Sequence, residues 1–135
     1  MKVFLDTNVL VSAFASRGIC ADLLELVLLE HELITGHQVL RELGKALREK
    51  VKVPAAQSSE IVDFVAGEAS LVIEEAQPVG ARVDADDARV LGEACSGRAE
   101  MFVTGDAVLL KLRTVEGVRI VSPRQFWEAL HARPA

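Results

Sequence analysis

Asp6 follows Val3-Phe4-Leu5, an apolar run short enough for a buried strand, with no linker between them. Asp106 ends a second such stretch, Glu100-Met101-Phe102-Val103-Thr104-Gly105-Asp106. Asp84, Asp86 and Asp87 sit at the start of a helical pattern, and Glu42 lies beside another, near Ala46. In an open parallel α/β sheet, ligands bind at the carboxyl ends of the strands, and helix starts face the same crevice. Four like charges gathered there would repel one another and bind protons more tightly unless a cation sat among them. Oxygen ligands without His or Cys point to Mg2+ or Mn2+ rather than zinc. Carboxylates holding one or two such ions can activate a water and stabilise the leaving oxygen of a phosphodiester.

The elements that must position these acids can be read along the chain. After the opening strand, Thr7 and Asn8 are good helix N-caps, and Val9 to Phe14 continue as helical turns ending near Gly18. Ala21 to Glu30 suits a helix with a broad buried face, and Glu32-Leu33-Ile34-Thr35 a second strand that breaks at Gly36. His37 to Val51 carries a stripe of Val39, Leu40, Leu43, Ala46 and Leu47. Past Pro54, Ser58 or Ser59 can cap a helix through Ala69, and Leu71-Val72-Ile73 reads equally as its tail or as a strand. Val90, Leu91 and Ala94 mark the buried side of the helix that starts at the acidic trio and ends at Gly97. A short helix over Ala107 to Leu112, a strand over Val118 to Val121, and a terminal helix after Ser122-Pro123 complete the alternation. Such a βα alternation brings the strand ends to one edge of a parallel sheet.

At 135 residues the chain is long enough for one domain with its own core, and a second domain is not expected. No apolar run approaches the ~20 residues that cross a bilayer, and the chain opens on a strand, so neither a membrane span nor a leader peptide is expected. Cys20 and Cys95 have neither CxxC nor metal-ligand spacing and read as unpaired thiols of a reducing cytosol. The formal net charge of −5 argues against a bulk basic surface for nucleic acid. It is compatible with a nucleic-acid enzyme whose acids gather in one pocket. Tyr is absent and Trp127 stands alone, so a stacking platform for single strands is not indicated.

Leu5-Asp6-Thr7-Asn8-Val9-Leu10, Arg41-Glu42-Leu43, Asp86-Asp87-Ala88-Arg89-Val90-Leu91 and Val103-Thr104-Gly105-Asp106 occur in that order. They resemble the ordered motifs of the PIN domain, the family of PilT N-terminus-like proteins and VapC-like toxin ribonucleases, and the resemblance runs from Lys2 to about Leu130. It implies an α/β fold: a single PIN-like domain over residues 1–135, with a central parallel β-sheet of four to five strands flanked by helices. It also implies a ribonuclease dependent on Mg2+ or Mn2+, with Asp6, Glu42 and Asp106 matching the family's metal-binding acids directly. Asp87, four residues before Leu91, fits the third acid, with Asp86 and Asp84 close enough to exchange roles with it. Thr7, Asn8 and Thr104 would orient carboxylates and water. Many relatives carry another acid two residues after the TGD aspartate, where this chain has Val108, which bears on the strength of a second metal position and on rate. Small proteins of this kind resemble the toxins of type II toxin–antitoxin pairs, which implies a cytoplasmic homodimer acting on RNA and held by a cognate antitoxin.

Each acid also has a structural reading. Asp6 and Asp106 could be helix caps, Glu42 could pair with Arg41 or Lys45, and the macrodipole favours acids such as Asp84 at a helix start. Arg41, Lys45, Arg48 and Lys52 recur at helical spacing, either as phosphate contacts near the site, Arg41 and Lys45 above all, or as a solvated face. His31, His37 and His131 share no spacing with the acids. Phe126 and Trp127 read as core or dimer contacts. Two other functions compete. A phosphotransfer domain with Asp6 as nucleophile would want an acid where Asn8 stands and a Lys on a late strand, whereas Lys111 falls in the short helix. A catalytically weak binding module would keep the fold and use the acidic pocket for a protein partner. If repulsion dominates at Asp6, Asp6→Asn should stabilise the metal-free protein.

Overall fold

A computed structural model describes residues 1–132. In chain order its elements are β1 (Lys2–Leu5), α1 (Thr7–Ala15), α2 (Ile19–Glu30), β2 (Glu32–Gly36), α3 (His37–Glu49), α4 (Ala55–Glu68) and β3 (Leu71–Ile73). There follow α5 (Ala85–Ser96), β4 (Met101–Val103), α6 (Ala107–Leu110), β5 (Thr114–Val115), β6 (Val118–Val121) and α7 (Pro123–His131). The sheet order is β3-β2-β1-β4-β6-β5. The first five strands in that order pair in parallel, as the sequence suggested, and the two-residue β5 adds an antiparallel edge on β6.

This order places the reversal of winding between β1 and β4. The chain leaves β1 toward β2 and β3 on one side, and later occupies β4 and β6 on the other. A crevice opens at such a point beyond the carboxyl ends of the two strands, because their connections run off in opposite directions. Asp6 follows β1 and Asp106 lies just past β4, so both acids stand at this crevice.

The central strands are apolar because both faces of a parallel sheet are covered by helices. Val3, Phe4, Leu5, Phe102 and Val103 have at most 1 % of their surface exposed. Phe4 and Phe102 are register partners across β1 and β4, and their rings stack with centroids 5.4 Å apart. Their contact adds on the order of 1 kcal/mol beyond area burial and holds in register the two strands that carry Asp6 and Asp106. Leu43, Leu47, Leu91, Val90 and Ala94 come from the helical stripes that the sequence marked, and all are buried.

Several local expectations change. Asp6 itself, rather than Thr7 or Asn8, is the N-cap of α1, its side chain accepting from Thr7 N. Helix α4 starts at Ala55 directly after Pro54, so Ser58 lies one turn inside; fully buried, it donates to the Val53 carbonyl instead of capping. Leu71–Ile73 is a strand, fixed by its parallel pairing with β2, and α6 stops at Leu110. Ser122 caps α7 in a reciprocal capping box with Gln125, and Phe126 of that helix is core while Trp127 stacks on His131. Cys20 and Cys95 are free and half-buried, and burial pushes the Cys95 thiol up to about 11, which leaves it unreactive. No helix among the described residues is long and apolar enough to cross a membrane.

Candidate active site

Above the β1/β4 end of the sheet lies a cleft of about 640 Å3. Helix α1 lines it with Thr7, Asn8 and Ser12, α3 with Glu42, Lys45 and Glu49 and its C-cap Lys50, and α5 with Asp86 and Asp87, while Asp6 and Asp106 come from the strand ends. Four stretches far apart in sequence therefore present carboxylates to one space. Thr104 lies beneath the cleft, fully buried, and Asp84 and Arg41 do not line it.

Asp6 is held from three sides. Its Oδ1 accepts from Thr7 N at 2.8 Å, and its Oδ2 accepts from Thr104 Oγ1 at 2.7 Å and from Asn8 Nδ2 at 3.1 Å. Asn8 in turn accepts from Gly105 N at 2.9 Å, and Thr104 Oγ1 accepts from Asp106 N at 3.0 Å. The segment after β4 is thus tied to the segment after β1 by side chains that also fix the carboxylate. Asp106 caps α6, with Oδ1 accepting from Val108 N and Leu109 N, which leaves Oδ2 free to face the cleft. Glu42 receives Thr7 Oγ1 at 3.0 Å on one oxygen and Gln38 Nε2 at 2.8 Å on the other.

Capping and clustering are therefore not rival readings. Asp6, Asp84 and Asp106 are all N-caps, and two of the three also line the cleft. Asp84 has a structural role, accepting from Asp87 N at 2.8 Å. Asp86 lies 3.7 Å from Arg89, an exposed pair one turn apart that contributes little. The Asp87 carboxylate takes part in no hydrogen bond or ion pair among the described residues. Desolvation first, and then the charges of Asp84, Asp6, Asp106 and Glu42, raise its pKa to about 7. Asp6 is also raised, chiefly by burial, with its donors from Thr104 and Thr7 opposing the shift.

This donor set suits a hard dication, being all oxygen and net negative. No three His, Cys, Asp or Glu side chains among the described residues stand close enough together to hold one ion by themselves. Mg2+ does not require that. It keeps several waters and takes only one or two protein carboxylates directly, so a wide acidic cleft with room for water fits a hydrated ion.

Two residues that sequence reading passed over organise α3. Gly36 precedes this helix and has no side chain to cap it, and its first turn contains no acid. Glu93 of α5, only 3 % exposed, reaches across, its two oxygens accepting from Gln38 N at 2.8 Å and Val39 N at 3.2 Å. A Cβ at position 36 would overlap the Glu93 carboxylate and force it off the start of α3, so glycine there is what allows the close approach. Gln38 links Arg41, whose Nη2 donates to it at 2.6 Å, to Glu42. An acid at the edge of the buried Val90, Leu91, Ala94 stripe was the available signal for Glu93. Its partner on α3 could not be read. Val108, 56 % exposed, does not line the cleft.

The PIN domain family model matches residues 2–107. No curated protein matches the chain. Among solved structures, the fold is shared with VapBC2 from Rickettsia felis, described as bound to a DNA fragment from their promoter, at a TM-score of 0.66 and 16 % identity over 90 % of this chain and 98 % of that one. It is shared with PAE2754 from Pyrobaculum aerophilum at a TM-score of 0.67 and 21 % identity, covering 98 % and 91 % of the two chains. VapBC-1 from nontypeable Haemophilus influenzae gives 0.65 and 16 %, covering 92 % and 99 %.

Proposed function

This chain belongs to the PIN domain family, and we propose that it is a ribonuclease dependent on Mg2+ or Mn2+, a single domain that serves as the toxin of a toxin–antitoxin pair. The observation that carries the catalytic part is the convergence of Asp6, Glu42, Asp87 and Asp106 on one cleft, with Asp87 pushed to about 7 by burial and by the other acids. A carboxylate so crowded has affinity to spare for a cation.

In this reading one or two of Asp6, Asp106, Glu42 and Asp87 would bind the ion directly and the others would reach it through its waters, with Asp86 at the rim. When bound, the ion supplies a water of lowered pKa and charge for the leaving oxygen of the phosphodiester. Thr104 and Asn8 fix the lone pairs of Asp6 by donating to Oδ2, and Thr7 fixes Glu42. Lys45, exposed on the α3 wall of the same cleft, is placed to meet a phosphate oxygen. The likeness to the VapBC structures supports proposing a cognate antitoxin for this chain; an antitoxin segment over the acidic cleft, a homodimeric toxin and a cytoplasmic setting belong to the same proposal.

The test compares RNA cleavage by wild type, Asp106→Asn and Asp87→Asn in Mg2+, Mn2+ and EDTA. Asn caps a helix as well as Asp, so Asp106→Asn can keep its bonds to Val108 N and Leu109 N while losing the charge that faces the cleft. Cleavage should need the metal and fall on the order of 100-fold or more in both variants. A wild type that cuts no RNA and binds no Mn2+ would refute the proposal and favour a PIN-fold binding module, a reading that Val108 in place of a further acid supports.

A further inference from the structure

Beside the acidic cleft, α3 and α4 enclose a second groove, of about 680 Å3. Its rim carries Arg41, Lys45 and Arg48, and its floor is formed by Leu40, Gly44 and Val62. Lys45 lines both this groove and the acidic cleft, so the two are continuous at that side chain. The three cations follow one another along α3 at steps of four and three residues, about 6 and 4.5 Å of helix rise. All three are exposed, and none forms a salt bridge among the described residues. Among the described residues lining the groove, Asp63 is the one acid.

We propose that this groove binds the sugar–phosphate backbone of the RNA strand flanking the phosphodiester held in the acidic cleft, an inference that rests on the nuclease reading above. Charge complementarity argues for this occupant. The protein carries a net charge of −5 and its cleft repels phosphate, so a polyanion has to be drawn in by cations close to that cleft. A row of three exposed cations whose middle member, Lys45, lines the cleft is suited to that task. Gly44 brings α3 close to α4, since a Cβ there would meet Arg48 Nη1 at 3.2 Å and Val62 Cγ2 at 3.4 Å, and the floor stays shallow and apolar under the ribose faces. Among the described residues lining the groove there is no Phe, Tyr or Trp and His37 carries the one ring, so the contact is chiefly to the backbone rather than to the bases.

The experiment measures binding and cleavage separately in the full-length chain. Labelled single-stranded RNA of about 12 nucleotides is titrated by fluorescence anisotropy, in EDTA and over a series of KCl concentrations, with wild type, Arg48→Gln, Arg48→Glu and the control Arg124→Gln on α7. Removing one phosphate contact should weaken binding several-fold at low salt and reduce the slope of log K against log salt by about 0.7. Arg48→Glu should weaken it further, and Arg124→Gln should match wild type. In Mn2+, Arg48→Gln should raise KM for the long strand with kcat unchanged. Identical affinity and slope in all four proteins, or no RNA binding by wild type, would overturn the proposal. So would an Arg48 effect seen only with a poly-glutamate peptide, which would mark the groove as a docking surface for an acidic protein segment. If binding depends on Arg48 but wild type cuts nothing in Mn2+, the groove assignment stands and the nuclease reading fails.

Discussion

Helix α5 carries two carboxylates that burial affects in the same direction and that end in opposite circumstances. Glu93 and Asp87 both have raised pKa values, with desolvation as the leading cause. Glu93 spends both oxygens on backbone N–H groups at the start of α3, and the nearby charges of His37 and Arg41 also oppose its shift. Asp87 has no donor among the described residues, and every charge that shifts it is another acid. A buried acid that is fully hydrogen-bonded is part of the fold. An acid left facing other acids is a site waiting for positive charge.

The contrast can be broken first at Glu93. Glu93→Ala leaves two N–H groups of α3 without an acceptor in a buried position, and should cost about 2–4 kcal/mol of unfolding free energy in urea melts. Glu93→Gln offers one acceptor where two are needed and should cost roughly 1–3 kcal/mol. A loss under about 0.5 kcal/mol in both would mean that Glu93 is not the cap the geometry indicates.

Asp6 stands between the two cases, because it is both hydrogen-bonded and crowded. Repulsion alone suggested that Asp6→Asn would stabilise the metal-free protein, and the hydrogen bonds reverse that expectation. An Asn amide would present N–H where Thr104 Oγ1 and Asn8 Nδ2 now donate. The variant should be less stable by roughly 1–2 kcal/mol in EDTA, and a higher melting temperature would show that charge outweighs the network.

Asp87→Asn gives the smallest effect and the opposite sign. The Asp87 pKa in the folded protein, about 7, lies above the ordinary 3.8, so the native state holds the extra proton and stability falls as pH rises between those values. Well below pH 3.8 both states are protonated and the variant should match wild type. By pH 8 the metal-free variant should be the more stable, by at most about 1 kcal/mol because solvent screens this partly exposed group. Melts of both proteins in EDTA at pH 5 and pH 8 check this, and a variant advantage that shrinks with rising pH would contradict it.

Much of this arrangement was legible because it is local. Strand, acid and helix follow one another directly at Val3 to Val9 and at Met101 to Leu110, and the hydrophobic stripes of α3 and α5 fixed which sides are buried. The acids at these junctions follow from that local order alone. Contacts between elements distant in sequence carry no such signal. The Glu93 cap on α3 joins residues 54 and 55 apart in sequence, and the Asn8 bond to Gly105 joins residues 97 apart. The weak local pattern of Leu71–Ile73 acquires strand form only through its pairing with β2. The start of α4 was misplaced because Pro54 set it and Ser58, an apparent cap, is buried one turn further on.

The central claim is that the cleft acids form a binding place for a divalent ion. Isothermal titration of Mn2+ into metal-free wild type, Asp106→Asn and Glu93→Gln at pH 7 tests it most directly. Wild type should show saturable binding with proton release that varies with buffer, since the Asp87 carboxyl is pushed up to about 7 and a cation would displace its proton. Asp106→Asn should bind at least about 10-fold more weakly, and Glu93→Gln, where folded, should bind near the wild-type level. No saturable binding by wild type, or equal binding by Asp106→Asn, would contradict the account.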